Sequence, residues 1–365
     1  MRMTKKTADL RQVFRLSLLV FSAALSAGCS KPANETHFLA DDFFVTVVAR
    51  GNELKATKAV GVKPIATRSE CEAALTNAVC ETTAATSQIS NNYASVKCSS
   101  GGAQYVPALM AIYDETPEFM RPSLCSLDRI FISDGIASTA FASSVTDSMG
   151  RRIGGYVGMR RGTFLQQPSA HALVSWKEQL AFGGSTDFLA NDPKLVQLSY
   201  NLKLTNLKQD GLFYVLMHEL GHLIDFNNAV NSTSGAVTEW SRLSWDGGTD
   251  VPLHQASFFK RDDFCFYNCQ NYLNVSDAKE IYTSLQKSAF ITTYSSMNPW
   301  EDFAEFWAWH LMIEFKNPDF EITVPGEVTL KMNEGFAANP QIKNKLEFIG
   351  QLWNSTDLKV DNRQP

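Results

Sequence analysis

The residues whose types and spacing carry the most chemistry are His218-Glu219-Leu220-Gly221-His222. On a helix, side chains four residues apart stand one turn from each other on the same face, so the two imidazoles can share one ion. Glu219, next to the first imidazole, is then placed to take a proton from a water that the ion polarises. With this chain's His and Glu content, the HExxH spacing arises by chance in about one of 200 shuffled sequences. The competing reading is a solvated or core histidine pair on an amphipathic helix.

A catalytic zinc ion takes three protein ligands and keeps a fourth place for water. Asp225 stands where the extended HExxHxxGxxH pattern begins, and no glycine and histidine follow at its spacing, so the third ligand must come from elsewhere. The best segment is Asn298-Pro299-Trp300-Glu301-Asp302-Phe303-Ala304-Glu305, which opens a helix with an Asn cap and Pro in the first turn. Glu301 and Glu305 again share a face, so one can bind the ion while the other hydrogen-bonds the free nitrogen of a ligand histidine. Asn298-x-x-Glu301 also fits a capping box, in which the glutamate would satisfy a backbone amide instead. Trp300, Phe303, Phe306, Trp307 and Trp309 argue that this helix is buried, and buried carboxylates need partners. Asp225 shares the face of His222 and reads as a support for a ligand or as a helix-end residue. His171, His254 and His310 are isolated and read as structural.

The elements that must position these groups follow from periodicity. Helical spacing runs over 194–202, 211–226, 277–288, 299–315 and 340–353. Strand-like runs occupy 43–48, 129–132 and the glycine-rich stretch 153–160. The expected class is α+β, mostly helical with a small mixed sheet. The expected organisation is a leader over 1–28, a tether over 29–41, a small N-terminal subdomain over 42–125, the main domain over 126–355 and a tail over 356–365. His37 falls in the tether.

Arg2, Lys5, Lys6, Arg11 and Arg15 precede an apolar run over 16–27 that is too short to cross a bilayer as a helix, which reads as a signal peptide. Leu25-Ser26-Ala27-Gly28-Cys29 resembles the lipobox of bacterial lipoproteins, with Ser26 in the place usually held by an aliphatic residue. The resemblance implies lipidation of Cys29 and a membrane link through that lipid. Ser30 after the cysteine resembles proteins sorted to an outer membrane, so the expected location is the cell envelope. Ordinary cleavage near Ala27 would instead release a secreted product. Loss of the leader's five basic residues and Asp9 takes the net charge from −5 to about −9. Such an acidic chain has no general attraction for nucleic acid. Six further cysteines, an even number in an exported chain, favour disulfides, with Cys265 expected to pair with Cys269 and Cys71, Cys80, Cys98 and Cys125 among themselves.

His218-Glu219-Leu220-Gly221-His222 with Leu223-Ile224-Asp225, then Tyr294, then Glu301-Asp302-Phe303-Ala304-Glu305, resembles the gluzincins, in particular their lethal-factor-like branch. The likeness covers residues 218–312. It implies a zincin-like domain holding one zinc ion on His218, His222 and Glu301, with Glu219 as general base and Glu305 supporting a histidine. It also implies that Tyr294, seven residues before Glu301, faces the metal and stabilises the tetrahedral oxyanion. By analogy with zincins, Gly155, Tyr156, Val157 and Gly158 would lie on an edge strand that pairs with an extended peptide substrate. The expected activity is therefore zinc-dependent peptide hydrolysis. Two other readings stand beside it: a zinc hydrolase of a non-peptide, cell-wall amide, and a non-catalytic lipoprotein whose zinc core binds a partner.

Overall fold

The computed structural model describes residues 47–48, 67–146, 152–185, 194–201, 210–232, 234–247, 249–267, 269–316, 318–326 and 329–353. The leader, Cys29, the tether with His37, and the tail over 356–365 lie outside the described residues. Among the described residues no helix is long and apolar enough to cross a membrane.

The longer helices are α1 (Arg68–Ala78), α2 (Val106–Glu115), α3 (Ala170–Ala181), α4 (Asp210–Asn228), α5 (Ala278–Leu285), α6 (Pro299–Lys316) and α7 (Pro340–Trp353). Strands β1 (Val47–Val48), β2 (Val79–Thr82), β3 (Arg129–Ser133), β4 (Ala140–Thr146) and β5 (Arg152–Arg160) form a mixed sheet in the order β1-β4-β5-β3-β2. Only the β4–β5 pairing in it is antiparallel. A second, antiparallel sheet joins β6 (Gln197–Asn201), β7 (Asp319–Thr323) and β8 (Thr329–Lys331). The class is α+β. The described residues fall in one unit, Phe38–Pro365. β2 pairs with β3, and Cys71 and Leu75 of α1 share a core cluster with the apolar residues of α4 and α6.

Two expectations need correction. The helix expected over 194–202 is not formed by its described residues 194–201: the stretch supplies strand β6, which pairs with β7 in the register Leu198↔Ile322 and Tyr200↔Phe320. Leu195, Leu198 and Leu202 fit a helical face, but Val196, Leu198, Tyr200 and Leu202 also alternate strictly with polar residues, and the period of two prevails once β7 offers an edge. The second correction concerns the glycine-rich strand. β5 lies inside the sheet, hydrogen-bonded to β4 on one side and β3 on the other, so Gly155, Tyr156, Val157 and Gly158 present no free edge to a substrate. Their glycines serve packing. A Cβ on Gly155 would come within 2.5 Å of Leu223 Cδ2 on α4, and Gly158 lies opposite Phe141 of β4, under its ring.

The cysteines pair as Cys71–Cys125, Cys80–Cys98 and Cys265–Cys269, the first two tying α1 and β2 to neighbouring segments. Helix α7 is tied to α6 by a fully buried ion pair. Lys345 Nζ donates to Asp302 Oδ1 and Oδ2 at 2.8 and 2.6 Å and to the Ala289 carbonyl at 2.7 Å, and Trp245 Nε1 donates to Asp302 Oδ2 at 3.0 Å. Burial pulls the Lys345 ammonium down to about 8 and pushes the Asp302 carboxyl up to about 6, each against the attraction of the other. Removing one partner strands the other charge, so Lys345→Met is expected to destabilise the fold by about 3–5 kcal/mol in denaturant titration. Adding Asp302→Leu to it should recover part of that loss. An unaltered midpoint for the single variant would show that the pair does not hold α7 in place.

Candidate metal centre

Helix α4 is buried along almost its whole length, as its apolar residues on every side require. Helix α6 packs against it at Gly221. A Cβ there would lie 3.0 Å from Ala304 Cα and 3.1 Å from Trp307 Cβ, so the glycine admits the close approach that brings Glu301 opposite the histidines. The start of α6 is pinned. Asn298 Oδ1 accepts from the backbone amides of Trp300 and Glu301 at 3.0 and 2.9 Å, satisfying two of the open donors of the first turn. Asn231 Nδ2 donates to the Pro299 carbonyl at 3.0 Å, and Trp240 Nε1 to the same oxygen at 3.3 Å.

Asp225 holds that connection. Its Oδ1 accepts from the Asn231 amide at 2.8 Å and its Oδ2 from Asn231 Nδ2 at 2.7 Å, which links the end of α4 to the start of α6. Of its two sequence readings, the helix-end role is the one these bonds describe. Asn298 caps α6, while the Glu301 side chain turns to the histidines and Tyr294, so the cap is one-sided.

Three donor atoms converge between the helices. His218 Nε2 lies 3.1 Å from His222 Nε2 and 3.1 Å from Glu301 Oε2, and His222 Nε2 lies 3.5 Å from Glu301 Oε2. Ligand atoms about 2.0–2.1 Å from a tetrahedral ion stand about 3.3 Å from one another, so this triangle has the size that zinc requires. All three side chains are buried, and together they form the group among the described residues with a metal-binding arrangement. His171, His254 and His310 lie outside that group.

Around the triangle stand the groups that orient it. His218 Nδ1 is 2.9 Å from Glu305 Oε1, somewhat off the ring's N–H direction. Glu305 also accepts from Tyr214 Oη at 2.9 Å through each oxygen and from Thr292 Oγ1 at 2.9 Å. A carboxylate held this firmly fixes the ring it faces. Tyr294 Oη donates to Glu301 Oε1 at 3.1 Å, and Lys177 Nζ sits 3.4 Å above the centre of the Tyr294 ring. Glu219 is 5% exposed, and its Oε2 has no hydrogen-bond partner.

No family model, curated protein or solved structure matches this chain. Its chemistry is therefore read from its own atoms. Burial pushes the Glu219 carboxyl up to about 8, a push that the field of any bound cation would oppose. Burial works against a charged His218, but the hydrogen bond to Glu301 and the facing carboxylate of Glu305 outweigh it and the imidazole is pushed up to about 9. Burial likewise opposes a charged Glu301, yet His222 and His218 hold it well below the usual carboxylate range. Burial lowers His222 and raises the Tyr294 phenol well above its ordinary value.

The cavity above the triangle is lined by His218, Glu219, His222, Tyr294 and Glu301, and also by residues that the sequence reading missed. These are residues 138–141 at the start of β4, Lys177 of α3, Tyr214 and Tyr267. Tyr214 stands one helical turn before His218, so the i, i+4 rule that paired the histidines could have found it. Tyr267 sits in the loop closed by the Cys265–Cys269 bond, and no spacing signal points to it.

Proposed function

We propose that the protein is a zinc metallopeptidase of the gluzincin type, with a zincin-like catalytic fold, and that it works at the cell envelope through lipid on Cys29. The observation that carries the activity is the meeting of His218 Nε2, His222 Nε2 and Glu301 Oε2 within 3.5 Å, beside the unpartnered Glu219 Oε2. Bound by these three ligands, zinc would acidify a water and polarise a substrate carbonyl. Glu219 accepts the water's proton and returns it to the departing nitrogen. Tyr294 keeps its phenolic proton at working pH and can donate a hydrogen bond to the oxygen that gains charge as the carbonyl is attacked. Glu305, Tyr214 and Thr292 keep the His218 ring in place throughout.

Residues 138–141 border the cavity. In this reading an extended peptide would run past these residues with its scissile bond over the ligands. The test is cleavage of an unfolded protein by the purified chain with and without 1,10-phenanthroline. Cutting that the chelator abolishes and added zinc restores is expected; no cutting by a chain that carries zinc would refute the reading.

A further inference from the structure

We propose that Lys177 makes this cavity selective for a substrate that carries a carboxylate next to the bond being cut. The inference rests on the peptidase reading and adds the substrate class to it. Lys177 projects from α3 into the same cavity as His218, Glu219 and Tyr294, and its ammonium lies 3.4 Å above the Tyr294 ring. Among the described residues it forms no ion pair. Of the acids near it, Glu219 borders the same cavity with Oε2 unpartnered but makes no ion pair with it, and Glu178 accepts from Tyr282 Oη and Thr293 Oγ1, both at 2.5 Å. Glu305 is held by Tyr214, Thr292 and His218, and Glu301 by the histidines and Tyr294.

A half-buried ammonium gains from a ring face but gains more from an anion, because a charge-assisted hydrogen bond is roughly twice as strong as a neutral one. The ring contact also fixes where that anion must sit. Tyr294 directs its hydroxyl to Glu301, whereas Lys177 stands over the ring face, so its charge is offered beside the reacting carbonyl rather than on it. A group there belongs to a neighbouring residue of the substrate. Two sources supply such a carboxylate: an Asp or Glu side chain flanking the bond, or the free C-terminus of a short peptide. Repulsion from the same ammonium would reject Lys and Arg at that place.

The experiment has two arms. In the first, cleavage sites are mapped in an unfolded protein, and kcat/KM is measured for peptide pairs that differ by one carboxylate against its amide, at a flanking side chain or at the C-terminus. A preference of about tenfold or more for the acid is expected, as one charge-assisted hydrogen bond allows. It should fall towards one in Lys177→Met, survive in Lys177→Arg, and turn into a preference for basic residues in Lys177→Glu. The position at which the preference appears distinguishes side chain from terminus. An acid preference unchanged in Lys177→Met, or none in the wild type, overturns the proposal. The second arm does not require turnover. The zinc-loaded wild type and Lys177→Met chains are titrated calorimetrically with the monohydroxamate of succinic acid and with its carboxamide analogue. Tighter binding of the carboxylate form by wild type alone supports Lys177 even if no peptide is cut and the peptidase reading falls. Equal binding of the two compounds by wild type refutes the role of Lys177.

Discussion

Glu219→Gln is expected to lower turnover by about 10²–10⁴-fold, the share that a positioned general base contributes, while zinc content stays unchanged. The amide has nearly the shape of the carboxylate, so the packing of α4 against the sheet and against α6 is preserved. What it lacks is the ability to accept a proton. The carboxylate is suited to that task by its surroundings: it is buried and one of its oxygens has no partner. Burial pushes its pKa up to about 8, and the field of a bound cation would favour the charged form in which it can accept a proton. The loss should therefore fall on kcat rather than KM. Steady-state kinetics on one peptide, with metal analysis of the same samples, checks both halves. Activity within about tenfold of wild type would assign proton transfer to another group.

The meeting of the candidate donor atoms was legible in the sequence because helical periodicity converts spacing into shared faces. His218 and His222 on α4, and Glu301 and Glu305 on α6, each stand four apart, and the structure brings the two faces together. Tyr294, placed by resemblance alone, also borders the cavity. The groups that make the meeting possible were less visible. Gly221 reads in the sequence as a helix-weakening residue inside a motif, and its role emerges only when the backbone of α6 lies against it. Lys345, far along the chain, reaches Asp302 beside the ligand glutamate, a contact that no local pattern encodes.

The errors have the same origin. Glycines in 153–160 suggested a bare strand edge, but a glycine in a strand equally marks a place where another element approaches closely, and here Leu223 of α4 does so. A local pattern cannot tell which neighbour fills the space. Likewise the stretch 194–202 satisfies both periods, and the choice was made by β7, more than a hundred residues later. The fold around the site is thus set by long-range pairings, whereas the donor atoms are set by short-range spacing.

Glu301→Ala is expected to weaken zinc binding by well over 100-fold, since losing even a group that supports a ligand costs 10–100-fold and the proposal makes this residue a ligand itself. The same substitution should change how binding depends on pH. In the metal-free protein His218 keeps its proton up to about pH 9 because Glu301 and Glu305 face it, so zinc must expel that proton to bind. Affinity in the wild type should consequently rise by about tenfold per pH unit between 7 and 9. The sign for the metal-free fold is the opposite. The ion pairs of His218 stabilise it fully below about pH 6.5, and that contribution disappears as the pH rises through about 9. Without Glu301 the imidazole loses its strongest cation-favouring partner, so its pKa falls and the weak residual affinity should level off at a lower pH. Competition with a fluorescent chelator across that range reads both effects in one series. Wild-type affinity in the alanine variant, with the same pH slope, would remove Glu301 from the ligand set and leave Glu305, already 2.9 Å from His218 Nδ1, as the carboxylate to examine.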